Sequence, residues 1–587
     1  MITTTAAGPA RSKHRIPPWG WTPAGAASFF TDVPVVLAGL GLFYGLLAFG
    51  HYWMGPVNTQ AEIELSPLAL PKYALFSLAR LAIAYILSFA FTLVYGYVAA
   101  YNAKAERILI PLLDTLQSIP VLSFLPGVML SMMALFPRWQ LGVELGSIVL
   151  IFTGQVWNMT FSFYSSLKGI PQELREAAKV YEFSWWQRLR QLEMPYAAIG
   201  LIWNSMMSVA GGWFFLMACE MFVLGNRDLR LPGLGSYLQT AANAGNTRAI
   251  VWGVATMIGV IVLLDQLVWR PVIAWGERFK FEQVEAAETP RSPVLSLLHR
   301  SELLSLVKRW PLAPARERMD LYWARKQLLA PASVRRTPGP RWTGRALAAL
   351  ALAGIAYGTV KMALMIAAIS SAELGHILRG AGATLLRVAV TLALAAAWTV
   401  PVGVFIGLRP RVSAVLQPLA QIAASVPATA LFPILLLVLI RLGGGLGIGS
   451  IALLLLGTQW YLLFNVIAGA SAIPADLKEV STVFRFSRSE RWWKLFLPAI
   501  FPYLVTGLVT ASGGAWNASI VAEYFHFKGQ TLSTVGLGSL ISQATDSGNF
   551  PLLIASTVVM AAMVVTINRL LWRRLYALAA TRFNLEA

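Results

Sequence analysis

The chain has 587 residues, 57% hydrophobic and only 13% charged, with net charge +20 and mean hydropathy +0.62; soluble globular chains carry about 25% charged residues. The basic residues sit between apolar runs, in loops alternately crowded and sparse. That is the positive-inside distribution of a membrane protein rather than a nucleic-acid footprint, and the single cysteine, Cys219, excludes an intrachain disulfide and every multi-cysteine metal motif.

The first apolar run, near 35–53, follows Arg11, Lys13 and Arg15. It lacks an A-x-A cleavage site and is too long for a signal-peptide core, so it reads as a retained first helix. Further runs fall near 74–101, 108–136, 142–166, 196–223 and 249–274. A second set follows near 345–370, 381–408, 415–441, 446–470, 499–522 and 551–576. Each is long enough to cross a bilayer of roughly 30 Å. The expected fold is an all-α polytopic membrane protein of about 12 helices, six and then six. The expected division is a tail at 1–34, a first unit at 35–275, a linker at 276–343, a second unit at 344–577 and a tail at 578–587. The linker carries Arg316-Glu317-Arg318 and Arg335-Arg336-Thr337-Pro338-Gly339-Pro340 and does not suit lipid. Within it, Leu303, Leu304, Val307 and Trp310 outline one apolar face of an amphipathic helix. A solvated connector is the other reading.

The two sets are copies. Pro171 and Pro474, Glu176 and Glu479, Pro195 and Pro498, Trp213 and Trp516, and Glu220 and Glu523 are each 303 apart. Gly233-Leu234-Gly235-Ser236 recurs as Gly536-Leu537-Gly538-Ser539 at the same shift. Earlier in each half the shift is 307: Arg80 to Arg387, Gly96 to Gly403, Pro111 to Pro418, Pro120 to Pro427 and Pro126 to Pro433. An even number of spans per half gives both halves one orientation, so they are parallel repeats about an axis along the membrane normal. Gly41-x-x-x-Gly45 and Gly354-x-x-x-Gly358 in the first helices permit close helix packing.

The loop between the fourth and fifth spans carries most information. Pro171 or Pro474 suits the first turn of a helix. Glu173 or Asp476 then sets negative charge at the positive end of the helix dipole. Leu174, Ala177, Ala178 and Tyr181 form one helical face, repeated by Leu477, Val480, Ser481 and Phe484. Ser184-x-x-Gln187 and Ser487-x-x-Glu490 are capping boxes opening a second short helix, and Pro195 and Pro498 mark a break before the fifth span. The Lys- and Arg-rich loops, and with them both termini, are expected on the cytoplasmic side.

This loop resembles the EAA loop of bacterial ABC importer permeases, and the similarity is greatest to the nitrate, sulfonate and taurine branch of type I importers. The resemblance covers both halves apart from the N-terminal tail and the linker. Ser118-Ile119-Pro120, the stretch from Trp213 to Glu220, and Gly-Leu-Gly-Ser add to it. It implies that the first short helix is a coupling helix seated on a separate nucleotide-binding subunit. Its residues here are Glu173, Glu176, Ala177, Ala178, Tyr181 and Glu182, with Asp476, Glu479, Val480, Ser481, Phe484 and Arg485 in half two. It implies two ATPase subunits that bind ATP and Mg, no cofactor in this chain, a periplasmic or lipid-anchored substrate-binding protein, and location in the bacterial inner membrane. The sequence departs from the family where the loop glycine has become Glu182 and Arg485, which leaves the left-handed turn in question. Half two also has Val480-Ser481 for Ala-Ala, so two different ATPases, or two identical ones unequally coupled, are expected.

The resemblance also implies that the fifth helices line the pathway, through Asn204, Trp213, Glu220, Trp516, Asn517 and Glu523. For Glu220 and Glu523 a structural hydrogen bond to the Gly-Leu-Gly-Ser loop is the competing reading, and for the tryptophans ordinary packing. Gly443-Gly444-Gly445 reads as an external connection. No G-x-x-x-x-G-K-[ST] loop, H-E-x-x-H or Gly-x-Ser-x-Gly occurs, so the chain is expected to transport and not to catalyse. The resemblance implies a small anion, nitrate-, sulfonate- or bicarbonate-like, as the substrate; a carrier driven by an ion gradient is the alternative, and a non-transporting scaffold the third reading.

Overall fold

The computed structural model describes residues 62–224, 227–279, 293–300, 313–328, 341–441, 445–527 and 530–583, with a few positions before residue 56. The N-terminal tail, Gly41 and Gly45, Leu303 to Trp310, Arg335 to Pro340, and Gly443-Gly444 lie outside the described residues. Among the described residues, eight helices are long and apolar enough to cross a membrane, or nine if one bent pair counts as a span.

Half one runs through α1 (Leu70–Tyr101), α2 (Ala103–Ser118), α3 (Leu125–Leu135), α4 (Leu141–Lys168), α5 (Gln172–Val180), α6 (Trp185–Arg188) and α7 (Met194–Glu220). A short hairpin follows, β1 (Val223–Leu224) against β2 (Arg227–Asp228). Then come α8 (Leu234–Asn243), α9 (Thr247–Leu264) and α10 (Arg270–Gly276). Linker helices α11 (Pro293–Arg300) and α12 (Ala313–Leu328) precede half two. That half repeats the order as α13 (Arg341–Ala367), α14 (Ser371–Gly407), α15 (Pro410–Ser425), α16 (Ala428–Arg441), α17 (Leu446–Ser471), α18 (Ala475–Val483), α19 (Arg488–Arg491) and α20 (Leu497–Ala522). The hairpin β3 (Tyr524–Phe527) with β4 (Gln530–Ser533) and helices α21 (Leu537–Ser547), α22 (Phe550–Ile567) and α23 (Arg573–Arg582) complete it. In each half the fourth span packs between the second and fifth. One apolar core joins the halves and holds both Trp213 and Trp516.

Three features differ from the sequence expectation. The run at 108–136 is not a straight span: its two helices meet at 86°. Ile119 is extended at φ −86°, ψ 131°, as a residue before proline prefers. Val426 before Pro427 repeats this at φ −76°, ψ 116°, so the run at 415–441 is also interrupted. Second, Pro195 and Pro498 do not break the fifth helix, which is continuous over Trp185–Glu220 and Arg488–Ala522. A π turn, Leu189–Glu193 or Trp492–Phe496, precedes each proline. The wider turn displaces the carbonyls that the proline ring would otherwise strike. Third, Gly354 and Gly358 face open space, so this pair mediates no close packing among the described residues.

Each fifth helix ends on a buried carboxylate. Glu220 Oε1 accepts from Ser77 Oγ at 2.7 Å and Arg80 Nη1 at 2.8 Å, while Oε2 accepts from Gly235 N at 2.8 Å. Arg80 also donates to Pro232 O at 2.8 Å and grips Glu144 through two bonds of 2.6 Å. Arg80, Glu144 and Glu220 are fully buried. In half two, Glu523 accepts from Thr384 Oγ1 and Arg387 Nη1, both at 2.7 Å, and from Gly538 N at 2.9 Å. A Cβ added at Gly233 or Gly536 would land on the Glu220 or Glu523 carboxyl group, which accounts for the first glycine of each Gly-Leu-Gly-Ser. Gly233→Ala and Gly536→Ala are each expected to cost about 1–3 kcal/mol by overpacking a buried ion pair. Gly259→Ala, on α9 with no neighbour within 4 Å, is the control. Thermal unfolding of the purified chain checks this: equal midpoints for Gly233→Ala and Gly259→Ala would count against the buried seat.

Candidate functional site

The two loops that follow α4 and α17 are built alike. Arg175 Nη2 turns back to donate to Leu167 O at 2.8 Å and Lys168 O at 3.0 Å, capping the last carbonyls of α4. Tyr196 Oη donates to Gly169 O at 2.8 Å and fastens the loop to α7. Helix α5 ends in a paired bond motif: Phe183 N donates to Ala178 O at 2.9 Å and Glu182 N to Lys179 O at 3.0 Å. In α18, Phe486 N donates to Ser481 O and Arg485 N to Thr482 O, both at 3.0 Å. This is the Schellman arrangement, which needs a left-handed residue after the helix. Glu182 and Arg485 supply it, each at φ 50°. The turn in question therefore keeps its left-handed form without glycine. Both capping boxes form, Ser184 with Gln187 and Ser487 with Glu490.

The predicted face divides in two. Ala178 and Ser481 are buried, and Leu174 and Leu477 are half-buried against the membrane domain. Glu173, Glu176, Ala177 and Tyr181 are exposed, as are Asp476, Glu479, Val480 and Phe484. Val180 (79%) and Val483 (77%), missed from the sequence, are the most exposed apolar side chains of their helices, beside Tyr181 (74%) and Phe484 (71%). Periodicity grouped Ala178 with this face, but it identifies a face and not which way that face turns.

Half one carries a further contact. Arg190 Nη1 donates to both carboxylate oxygens of Asp320 on linker helix α12, at 2.9 and 2.7 Å. Trp323 of α12 packs on Trp185 of α6 with ring centres 5.4 Å apart. In half two the position of Arg190 is Trp493, which is 71% exposed.

The six predicted pathway residues separate. Asn204, Trp516 and Asn517 line a cavity of 890 Å³ shared by both halves, on the side of the loops after α4 and α17. Trp213 lies in the core, and Glu220 and Glu523 belong to the buried ion pairs. The cavity wall is amide, hydroxyl and aromatic: Trp157, Asn158, Ser162, Thr506 and Thr510 join the three named. Its charged members, Asp114 and Arg573, face each other at 4.0 Å. Asn568 lines the cavity too, whereas Asp265 at the matching place pairs with Arg270 at 3.3 Å. At the ion-pair end a second cavity, of 410 Å³, is lined by Asp228, Arg230, Tyr524, His526 and Asp546 among others. Burial raises Asp228, but hydrogen bonds from Arg230 outweigh it and hold the carboxyl below its ordinary range. Burial and a bond to Asp546 push the Tyr524 phenol up, so it stays a donor.

Duplicated helical units, each with an exposed short helix before its fifth span, point to one kind of molecule. Residues 92–268 and 399–583 both match the family described as binding-protein-dependent transport system inner membrane component. The chain belongs to this family. It is a fused two-domain permease with the type I importer fold, a multi-pass protein of the inner membrane. It is 30% identical over 195 residues to the nitrate import permease protein of Synechocystis sp., covering 33% of this chain and 66% of that one. It is 30% identical over 187 residues to the bicarbonate transport system permease protein of Synechococcus elongatus, 32% of this chain and 64% of that one. The taurine transport system permease protein of Escherichia coli is 27% identical over 186 residues, 31% and 61% of the two chains. The permease thus spans just under two thirds of the length of these relatives.

A left-handed non-glycine residue costs roughly 1–2 kcal/mol. Glu182→Gly and Arg485→Gly are therefore expected to tighten the loop of this permease, and Glu182→Val to loosen it. Hydrogen exchange at the Phe183 and Phe486 amides reads the effect. No change in Glu182→Val would sink the account of the turn.

Proposed function

We propose that this permease forms the pathway of an ATP-driven importer for a small anion. The observation that carries the reading is the pair of exposed docking helices, α5 and α18. They stand on one side of two fused units and end in Val180-Tyr181 and Val483-Phe484. Exposed apolar tips flanked by Glu176 and Glu479 suit the groove of another protein. Each docks one nucleotide-binding subunit, which binds ATP and Mg and hydrolyses the nucleotide; this chain needs no cofactor of its own. The loops and both termini face the cytoplasm, and the permease domains extend over 35–275 and 344–577.

The coupling residues are Glu173, Glu176, Ala177, Tyr181 and Glu182, with Asp476, Glu479, Val480, Phe484 and Arg485 in half two. Ala178 and Ser481 support them from beneath. Charge at 182 against 485, and size at 177 against 480, make the two docking sites unequal. Asn204, Trp516 and Asn517 line the route. Trp213, Glu220 and Glu523 brace it. A wall that includes amides and hydroxyls, and whose lining carboxylate Asp114 faces Arg573, lets an anion pass without a fixed counter-charge to hold it. Nitrate, bicarbonate and taurine, named for the relatives, support that substrate class. A periplasmic or lipid-anchored binding protein delivers the substrate from outside.

Co-expression with nucleotide-binding subunits tests the reading. Wild type is expected to copurify with ATPase activity. Tyr181→Ala and Phe484→Ala are each expected to weaken ATPase binding about 30-fold, the effect of truncating an aromatic anchor. If no ATPase copurifies with wild type, or if Glu176→Ala with Glu479→Ala and both aromatic variants change nothing, the importer reading fails.

A further inference from the structure

Half one contains a cavity of 650 Å³ that belongs neither to the pathway nor to the docking loops. It lies between α1, α7 and α10, with Arg316 of linker helix α12 at its edge. Its wall is apolar, including Phe89, Ala198, Trp275 and Phe279. It reaches from Arg190 beside the docking loop to Ser205 on the same continuous helix. At 1.5 Å per residue that is roughly 20 Å, the depth of one leaflet with its headgroup layer.

The rim is charged in one sense. Arg190 and Arg316 line it, and no carboxylate does among the described residues. Arg278 lies over the Trp275 ring at 5.5 Å, at the same end. Asp320 answers Arg190 alone. Half two shows that the space is not a necessity of the fold. Phe501 stands where half one has Ala198, and its ring meets Phe583 at 4.6 Å. Two aromatic rings thus stand at the matching place in half two.

We propose that this cleft binds one anionic phospholipid, its acyl chain along Phe89 and Ala198 and its phosphate at Arg316 beside Arg190. Depth and apolar lining select an acyl chain rather than a soluble ligand. The guanidinium rim on the docking-loop side selects a negative headgroup, as basic pockets between membrane helices do on the cytoplasmic face. The site forms only where the linker helix covers half one, so the lipid joins the linker to one permease unit and not to the other.

Native mass spectrometry of the full-length chain, titrated with phosphatidylglycerol or with phosphatidylcholine of equal chain length, tests this. One phosphatidylglycerol is expected to bind saturably, and phosphatidylcholine at least about fivefold more weakly. Arg316→Ala, an exposed position, is expected to weaken phosphatidylglycerol roughly fivefold and leave phosphatidylcholine unchanged. Ala198→Phe, which copies half two, is expected to abolish the tight site. Equal binding of the two lipids, unsaturable binding, or phosphatidylglycerol binding that Arg316→Ala leaves intact would each overturn the proposal.

Discussion

The carboxylate at the far end of each fifth helix holds the rest of the permease in register. A charge inside a membrane domain is expensive unless it is paired and hydrogen-bonded. Glu220 meets that demand with Arg80, Ser77 and the Gly235 amide, and so joins α1, α7 and the start of α8. Glu523 joins α14, α20 and α21 the same way. The bonds leave no space above the carboxyl, so the chain must pass as glycine. Removing one partner would leave the other charge buried and unpaired, which costs more than the pair contributes. A carboxylate so committed is also a poor site for a coupling ion.

The repeat was legible because it needs only subtraction, and the short helices after α4 and α17 because proline, acid and capping serine mark helix starts locally. What escaped was long-range. Arg80 and Arg387 were visible as a matched pair, and a charge repeated inside two apolar spans is itself a sign of a buried partner. Glu144 gave no such signal, since its counterpart is Gly447. The 86° bend was also written locally, in Ser118-Ile119-Pro120. Hydropathy hid it, because both limbs of the bend are apolar.

The order of the helices is repeated, but the two halves differ both in their packing and at the surface. Ala178 against Ser481, read from sequence as a difference in docking surface, is a difference beneath it, for both are buried. The exposed differences include Ala177 against Val480, Lys179 against Thr482, Tyr181 against Phe484 and Glu182 against Arg485. The linker adds another, since α12 grips Arg190 and Trp185 in half one, while half two shows Trp493 there. The asymmetry of the permease thus lies both in the short loop helices and in what stands beside them.

The fifth helix also explains why two π turns sit at matched places. From Trp185 to Glu220 it runs unbroken over 36 residues, roughly 54 Å at 1.5 Å per residue. One end carries the docking loop and the other the buried ion pair. A proline kink between them would let the loop move without moving the far end. The π turn before Pro195 keeps the helix continuous while it accommodates the ring. On the proposed function, a push at Tyr181 passes through the turn at Glu182 to the start of the helix that ends at Glu220. The ion pair, which cannot stretch without exposing charge to the membrane interior, makes the helices around it move together.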